Sequence, residues 1–133
     1  VGNNPSLPIQ GALVAAIKAI PTLAGNNVFD MVPTSNPFPR VTIGPSQSLP
    51  VMADCYDGTE TTVQLDCWSR AVGFPEVKQI ADQIRGRLHD GDLAITGHKL
   101  ELMVVELIDE SRDPDGITSR ARLQLRLQSQ PSP

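Results

Sequence analysis

The segment from His98 to Gln128 constrains this chain more than any other. HKLELMVVELIDE is followed by SRDPDG and then by ITSRARLQLRLQ, which predicts two long antiparallel strands joined by a tight turn. In Asp113-Pro114-Asp115-Gly116 the proline presets one corner, and Gly116 is free to take φ > 0. The second arm alternates, with Ala121, Leu123, Leu125 and Leu127 on one face and Arg120, Arg122, Gln124 and Arg126 on the other. The first arm does not. Strict alternation puts Leu100, Leu102, Val104 and Ile108 on one side and Met103, Val105 and Leu107 on the other, so both faces call for cover. Fully extended, Ile117 to Gln128 reaches roughly 40 Å, about twice the usual strand. A small domain shelters such a ribbon poorly, and the expectation is a chain completed by its neighbours.

The remaining residues supply what such a ribbon can pack against. At 133 residues the chain is expected to form one domain over residues 1–133, long enough to bury a core without staples. Residues 1–5 and 129–133 are expected to be flexible ends. Aromatic residues are 4% of the chain, so the core must be aliphatic. A first helix is predicted from Ser6 to Ile20, with Ser6 as N-cap and Leu13, Ala16, Ile17 and Ile20 on one face. A second is predicted from Pro75 to His89 on the stripe Val77, Ile80, Ala81, Ile84 and Leu88. Gly86 lowers helix propensity there and suggests close packing or an early end.

Short strands are predicted at Val28 to Val32, Arg40 to Gly44, Thr61 to Arg70 and Leu93 to Thr96. Residues 45–60, rich in Ser, Pro and Asp, read as an extended arm or loop that turns at Asp57-Gly58 and becomes ordered against a partner. The fold class is therefore α+β: a mainly antiparallel sheet, two helices on one face, a long β-hairpin and a projecting β-arm.

A search for chemistry finds little. Asp113, Asp115 and Gly116 superficially match a calcium loop, but Pro114 intrudes and no Glu closes the ligand set. His89 and His98 lack a third zinc ligand, and His89 reads more simply as a cation at a helix C-terminus. Cys55 and Cys67 have no CxxC spacing, which suits folding in a reducing cytosol, and Cys67 reads as a small core hydrophobe. Gly44-Pro45-Ser46-Gln47-Ser48 lacks the second glycine of a nucleophile elbow, and there is no P-loop or GxGxxG. The expectation is a non-enzyme with no cofactor and no metal. No apolar run approaches the ~20 residues that span a bilayer, so no membrane partner is expected.

Surfaces carry more information. Arg120, Arg122 and Arg126 share one strand face, with Arg112 at its turn. They read either as a solvated face that discourages edge pairing or as a stripe that meets carboxylates of a neighbouring subunit or a DNA backbone. Trp68 on the outer face of its strand reads as a lid or as an interface anchor. Val51 and Tyr56 of the arm complete the interface candidates.

The ordered set of local patterns resembles the tail-completion family of long-tailed phages and gene-transfer particles, which includes tail terminators. The matching pieces are the N-terminal helix, Val28-Phe29-Asp30, Pro37-Phe38-Pro39 with Val41-Thr42-Ile43-Gly44, and Leu65-Asp66-Cys67-Trp68-Ser69-Arg70. They continue with Glu76 to Arg87, Leu88-His89-Asp90, Gly97-His98 and Arg112-Asp113-Pro114-Asp115-Gly116 leading into Arg120-Ala121-Arg122-Leu123. The Ser46 to Tyr56 arm departs from the pattern. The resemblance implies a structural virion protein at the head-tail junction that folds in the host cytoplasm. It also implies a ring of about six copies that caps the tail tube and meets a head-side connector or stopper. DNA then passes through its lumen without specific binding, which a net charge of −4 favours. Two alternatives remain: a head-completion ring, and a small-molecule-binding α+β module.

Overall fold

The computed structural model of the chain describes residues 4–53 and 56–132, with residues 52, 53 and 56 described by backbone alone. The elements are α1 (Ser6–Lys18), β1 (Val28–Phe29), β2 (Arg40–Ala53), β3 (Tyr56–Ser69), α2 (Pro75–Leu88), β4 (His98–Arg112) and β5 (Ser119–Pro131). The strands form one sheet in the order β1-β2-β3-β5-β4. It is antiparallel except for β1, which runs parallel to β2. Both helices cover the same face, and the fold is α+β.

The core lies between that face and the helices. Strand β5 is its centre: Ala121, Leu123, Leu125 and Leu127 have no exposed surface, and Ser119 and Ser129 continue the buried row. From β3 come Val63, Leu65 and Cys67, from α1 Ile9, Leu13 and Ile17, and from α2 the whole predicted stripe. Each fully buried Leu or Ile contributes about 2 kcal/mol relative to exposure. Burial, with the Asp66 charge second, pushes the Cys67 thiol up beyond the range in which a thiolate forms. Cys67 is core. Cys55 lies outside the described residues.

Several local expectations change. Ser6 is not the N-cap: Pro5 holds that position without a side-chain bond, Asn4 Oδ1 accepts from the Ser6 N–H, and Ser6 Oγ lies 3.3 Å from Ser46 Oγ. Helix α1 stops at Lys18. Gly86 lies within α2 with open space where a Cβ would stand, so close packing does not explain it. His89 is an acceptor rather than a capping cation: its Nδ1 takes the Val105 N–H at 3.0 Å, and the Asp90 N–H donates to the Met103 carbonyl at 2.9 Å. The end of α2 is thus tied to β4. Leu93 to Thr96 is no strand; only a single bridge joins Ile95 to His98.

The largest differences lie in β4 and in the predicted loop. Two β-bulges interrupt β4, leaving Glu101 and Glu106 without cross-strand partners. Each bulge reverses the alternation. Leu100, Met103, Val105 and Ile108 consequently pack toward the helices, while Leu102, Val104 and Leu107 stand on the open face opposite Gln128, Arg126 and Gln124. Residues 46–53 and 56–63 are not loop but ladder, paired from Ser46↔Val63 to Ala53↔Tyr56. Asp57 and Gly58 pair with Met52 and Val51 and do not form the turn. Pro45 is absorbed with Gly44 into a bulge, and Pro50 sits on a strand whose other side is bare, because β1 covers only Val41 and Thr42. A proline is tolerated on such an edge.

The β4–β5 turn forms as expected, with Gly116 at φ 74°. Asp115 Oδ1 accepts from the Ile117 and Thr118 N–H groups, and Oδ2 from the Thr118 hydroxyl. These bonds hold the Asp115 carboxyl down at about 2. Because the folded value is depressed, this contribution to the turn is present above the ordinary carboxylate range and is lost as pH falls toward 2.

Two glycines separate strain from propensity. Gly116→Val meets no neighbour, so its cost is the positive φ alone: denaturant melts should show a loss of about 1–3 kcal/mol, with Gly116→Asn much milder. Gly86→Ala should raise stability by about 0.5–1 kcal/mol in the same assay. A destabilised Ala variant would mean that α2 has a neighbour at Gly86.

Candidate functional site

The face of the sheet opposite the helices has no second layer among the described residues, and it carries Trp68, Arg120, Arg122 and Arg126. Trp68 lies on it, half-buried, with Nε1 donating to Thr42 Oγ1 at 2.9 Å. Arg120 stacks on its ring at 5.0 Å, and Arg40 lies 5.8 Å away.

The arginine row is paired within the chain. Strand register places Asp66 opposite Arg122, beside Arg120. Arg120 Nε donates to Asp66 Oδ1 at 2.9 Å and Arg122 Nε approaches the same oxygen at 3.5 Å, while Gln64 Nε2 donates to Oδ2 at 3.0 Å. Asp66 is 5% exposed, so this is a desolvated carboxylate held by two guanidiniums and an amide. Farther along, Arg126 Nε donates to Glu106 Oε1 at 2.6 Å, and Gln124 Nε2 to Oε2 at 3.1 Å. Gln130 donates to Glu101. The two bulged residues of β4 therefore turn their carboxylates over β5. The row is a rigid lattice of alternating charge rather than a free positive stripe.

Arg112 does not belong to it. Its strand partner Ser119 is buried on the helix side, and the Arg112 guanidinium stacks on Phe74, at the start of α2, at 4.8 Å. Val51 stands on the arm of β2, opposite Gly58. The Tyr56 side chain lies outside the described residues.

Sequence reasoning missed a second cluster at the end of the sheet where β2 and β5 begin. Phe38 is flanked by Arg40 at 4.1 Å and Arg70 at 4.3 Å. Arg40 also donates to Asn36 Oδ1 and approaches the Pro37 carbonyl. Desolvation, then the charge of Arg70, lowers the affinity of Arg40 for its proton. No sequence spacing announces this cluster, because Phe38 and Arg40, where β2 begins, meet Arg70 from the connection after β3. Glu106 was detectable in principle: a charged residue breaking an apolar run is what a bulge leaves behind.

Among the described residues no three His, Cys, Asp or Glu side chains are grouped to hold a metal ion, and no helix is long and apolar enough to cross a membrane.

Comparison with known proteins fits this picture. Among curated proteins none matches the chain. Among solved structures, a chain of the "Virion of native gene transfer agent (GTA) particle" is similar in fold, with a TM-score of 0.78 at 24% identity. The likeness covers 92% of this chain and 97% of that one. The family model for tail completion protein gp17 matches residues 11–128, nearly the whole chain, and the chain belongs to that family of structural tail proteins.

Proposed function

We propose that the protein is a tail terminator: a ring of about six copies that caps the finished tail tube and joins it to the head-side connector. The observation that carries this reading is the open face of the sheet in a chain that belongs to a tail-completion family over residues 11–128. That face is large, half apolar along β4 and held rigid by its own ion pairs, which suits repeated contact between identical subunits at little ordering cost. Trp68, Arg122, Arg126 and Val51 on this side, with Tyr56 at the arm, are the contacts we assign to neighbours. Arg112 serves the end of the sheet. A net charge of −4 suits a lumen through which DNA slides without sticking, and the protein resides in the neck of the virion.

Inactivating the gene tests this directly. Negative-stain images should then show tails of irregular, excessive length without heads. Tails of uniform length lacking heads would instead assign the protein to the head side, and normal particles would exclude either role.

The ion pairs separate stability from assembly. Arg120→Gln should destabilise the isolated subunit by about 3 kcal/mol, because it strips the closest partner from a buried carboxylate. Arg126→Gln, whose pair with Glu106 is about one-third exposed on both sides, should cost under about 1 kcal/mol and yet weaken ring closure on tail tubes. Urea melts read the first effect, and sedimentation with purified tube protein reads the second. Equal melting of the two variants would mean that Asp66 does not depend on Arg120.

A further inference from the structure

One end of the sheet combines exposed apolar side chains with guanidiniums that form no ion pair with a carboxylate among the described residues. Val72, in the connection after β3, is 98% exposed, and Ile117, in the β4–β5 turn, is 63% exposed. Between these two connections lies a groove of about 410 Å³ that Arg70 and Arg112 also line. Both arginines are oriented by aromatic rings, Arg70 by Phe38 and Arg112 by Phe74. Among the described residues neither is within ion-pair distance of a carboxylate. Arg70 Nε donates to the Thr118 hydroxyl at 3.3 Å, and among the described residues no acceptor meets the Arg112 guanidinium, which stacks on Phe74. Stacked guanidiniums have already lost much of their rotamer freedom, so a carboxylate that meets them gains a forked hydrogen bond at reduced entropic cost.

We propose that this groove, between residues 70–73 and the β4–β5 turn, docks an acidic, apolar segment of the next virion protein along the tail axis. The inference rests on the tail role proposed above. Charge complementarity chooses the occupant. A polyphosphate backbone suits the groove poorly, since the Asp115 carboxylate lies within electrostatic reach of Arg70 and two apolar side chains form the rim. A peptide with a few carboxylates and one or two apolar side chains uses all of these features: the arginines as forks, and Val72 and Ile117 as the dry contact such interfaces centre on. A second copy suits it less well, because the contacts assigned above to ring neighbours lie on the open face of the sheet, whereas this groove lies across the strand ends.

Photo-crosslinking in intact particles tests the site. Val72 is replaced by a benzophenone amino acid, and the adducts are identified by mass spectrometry. The expected adduct is a peptide of a different virion protein with Asp or Glu flanking an apolar residue. Adducts to DNA or to a second copy overturn the proposal, as does the absence of any adduct when the chain is present in the particles. A chain missing from the particles overturns the tail reading itself. As a second arm, the pair Arg70→Glu and Arg112→Glu should lower the yield of joined particles by about tenfold or more, the scale of one lost charge-assisted contact. The purified subunit should still fold and melt cooperatively, with only the small loss that two stacking contacts carry, and the charge-preserving pair Arg70→Lys and Arg112→Lys should join particles better than the Glu pair. Normal joining by the Glu pair overturns the site.

Discussion

The register of β5 is the constraint on which the rest of the molecule depends. Its side chains alternate without exception from Ser119 to Ser129, between a face with almost no solvent exposure and a face of arginine and glutamine. A slip of one residue would bury Arg120, Arg122 and Arg126 under the helices and expose three leucines, a penalty no local contact offsets. Both long neighbours, β3 and β4, pair with this strand. Fixing β5 therefore fixes Leu65 opposite Leu123 beneath α2, and on the other face Asp66 opposite Arg122. Core and outer lattice are two readings of one register.

That is why the hairpin was legible from the sequence and why β4 was only half legible. Alternation in β5 is strict, and a period of two can be read by inspection. In β4 the apolar residues run Leu102 to Val105 without a break, and strict alternation sends Met103 and Val105 away from Leu100 and Ile108. The bulges at Glu101 and Glu106 bring all four to one side. A bulge is a property of two strands together, so a charged residue inside one strand's apolar run hints at it while the partner strand decides it. The helices were legible for the opposite reason. Their apolar stripes are local, and only their ends, which depend on Asn4 and on the bond between His89 and Val105, moved.

The arm over residues 45–60 was legible as extended chain, but not as strands that pair with each other within the chain without a partner. Pro45 and Pro50 lie within these strands. In β2 one is taken up by a bulge with Gly44 and the other sits where no strand lies alongside, so neither removes a ladder bond that β3 needs. The arginine row was legible as a row but not as a lattice. Its partners, Asp66 and Glu106, are 54 and 20 residues from the arginines they bind, and only the register brings them together. The cluster of Phe38, Arg40 and Arg70 was not legible at all, since loops meet without periodicity.

The same features bear on how copies of the chain can meet. An open five-stranded sheet has two edges, and bare edges pair readily with other chains. Here each is blunted. Edge strand β4 carries two bulges marked by Glu101 and Glu106, and the bare length of β2 carries Pro50 with Pro45 at its root. Strand-to-strand hydrogen bonding between copies is thereby disfavoured in both directions. Assembly of the kind proposed must instead use side chains, on the open face and at the strand ends, where arginine, tryptophan and exposed aliphatic residues are concentrated. For a tail component this distinction has a physical consequence. Edge pairing propagates, because each added strand presents a new edge. A side-chain contact between two different surfaces of the chain also repeats from copy to copy, but it ends in a closed ring when the rotation between neighbours returns to the first copy.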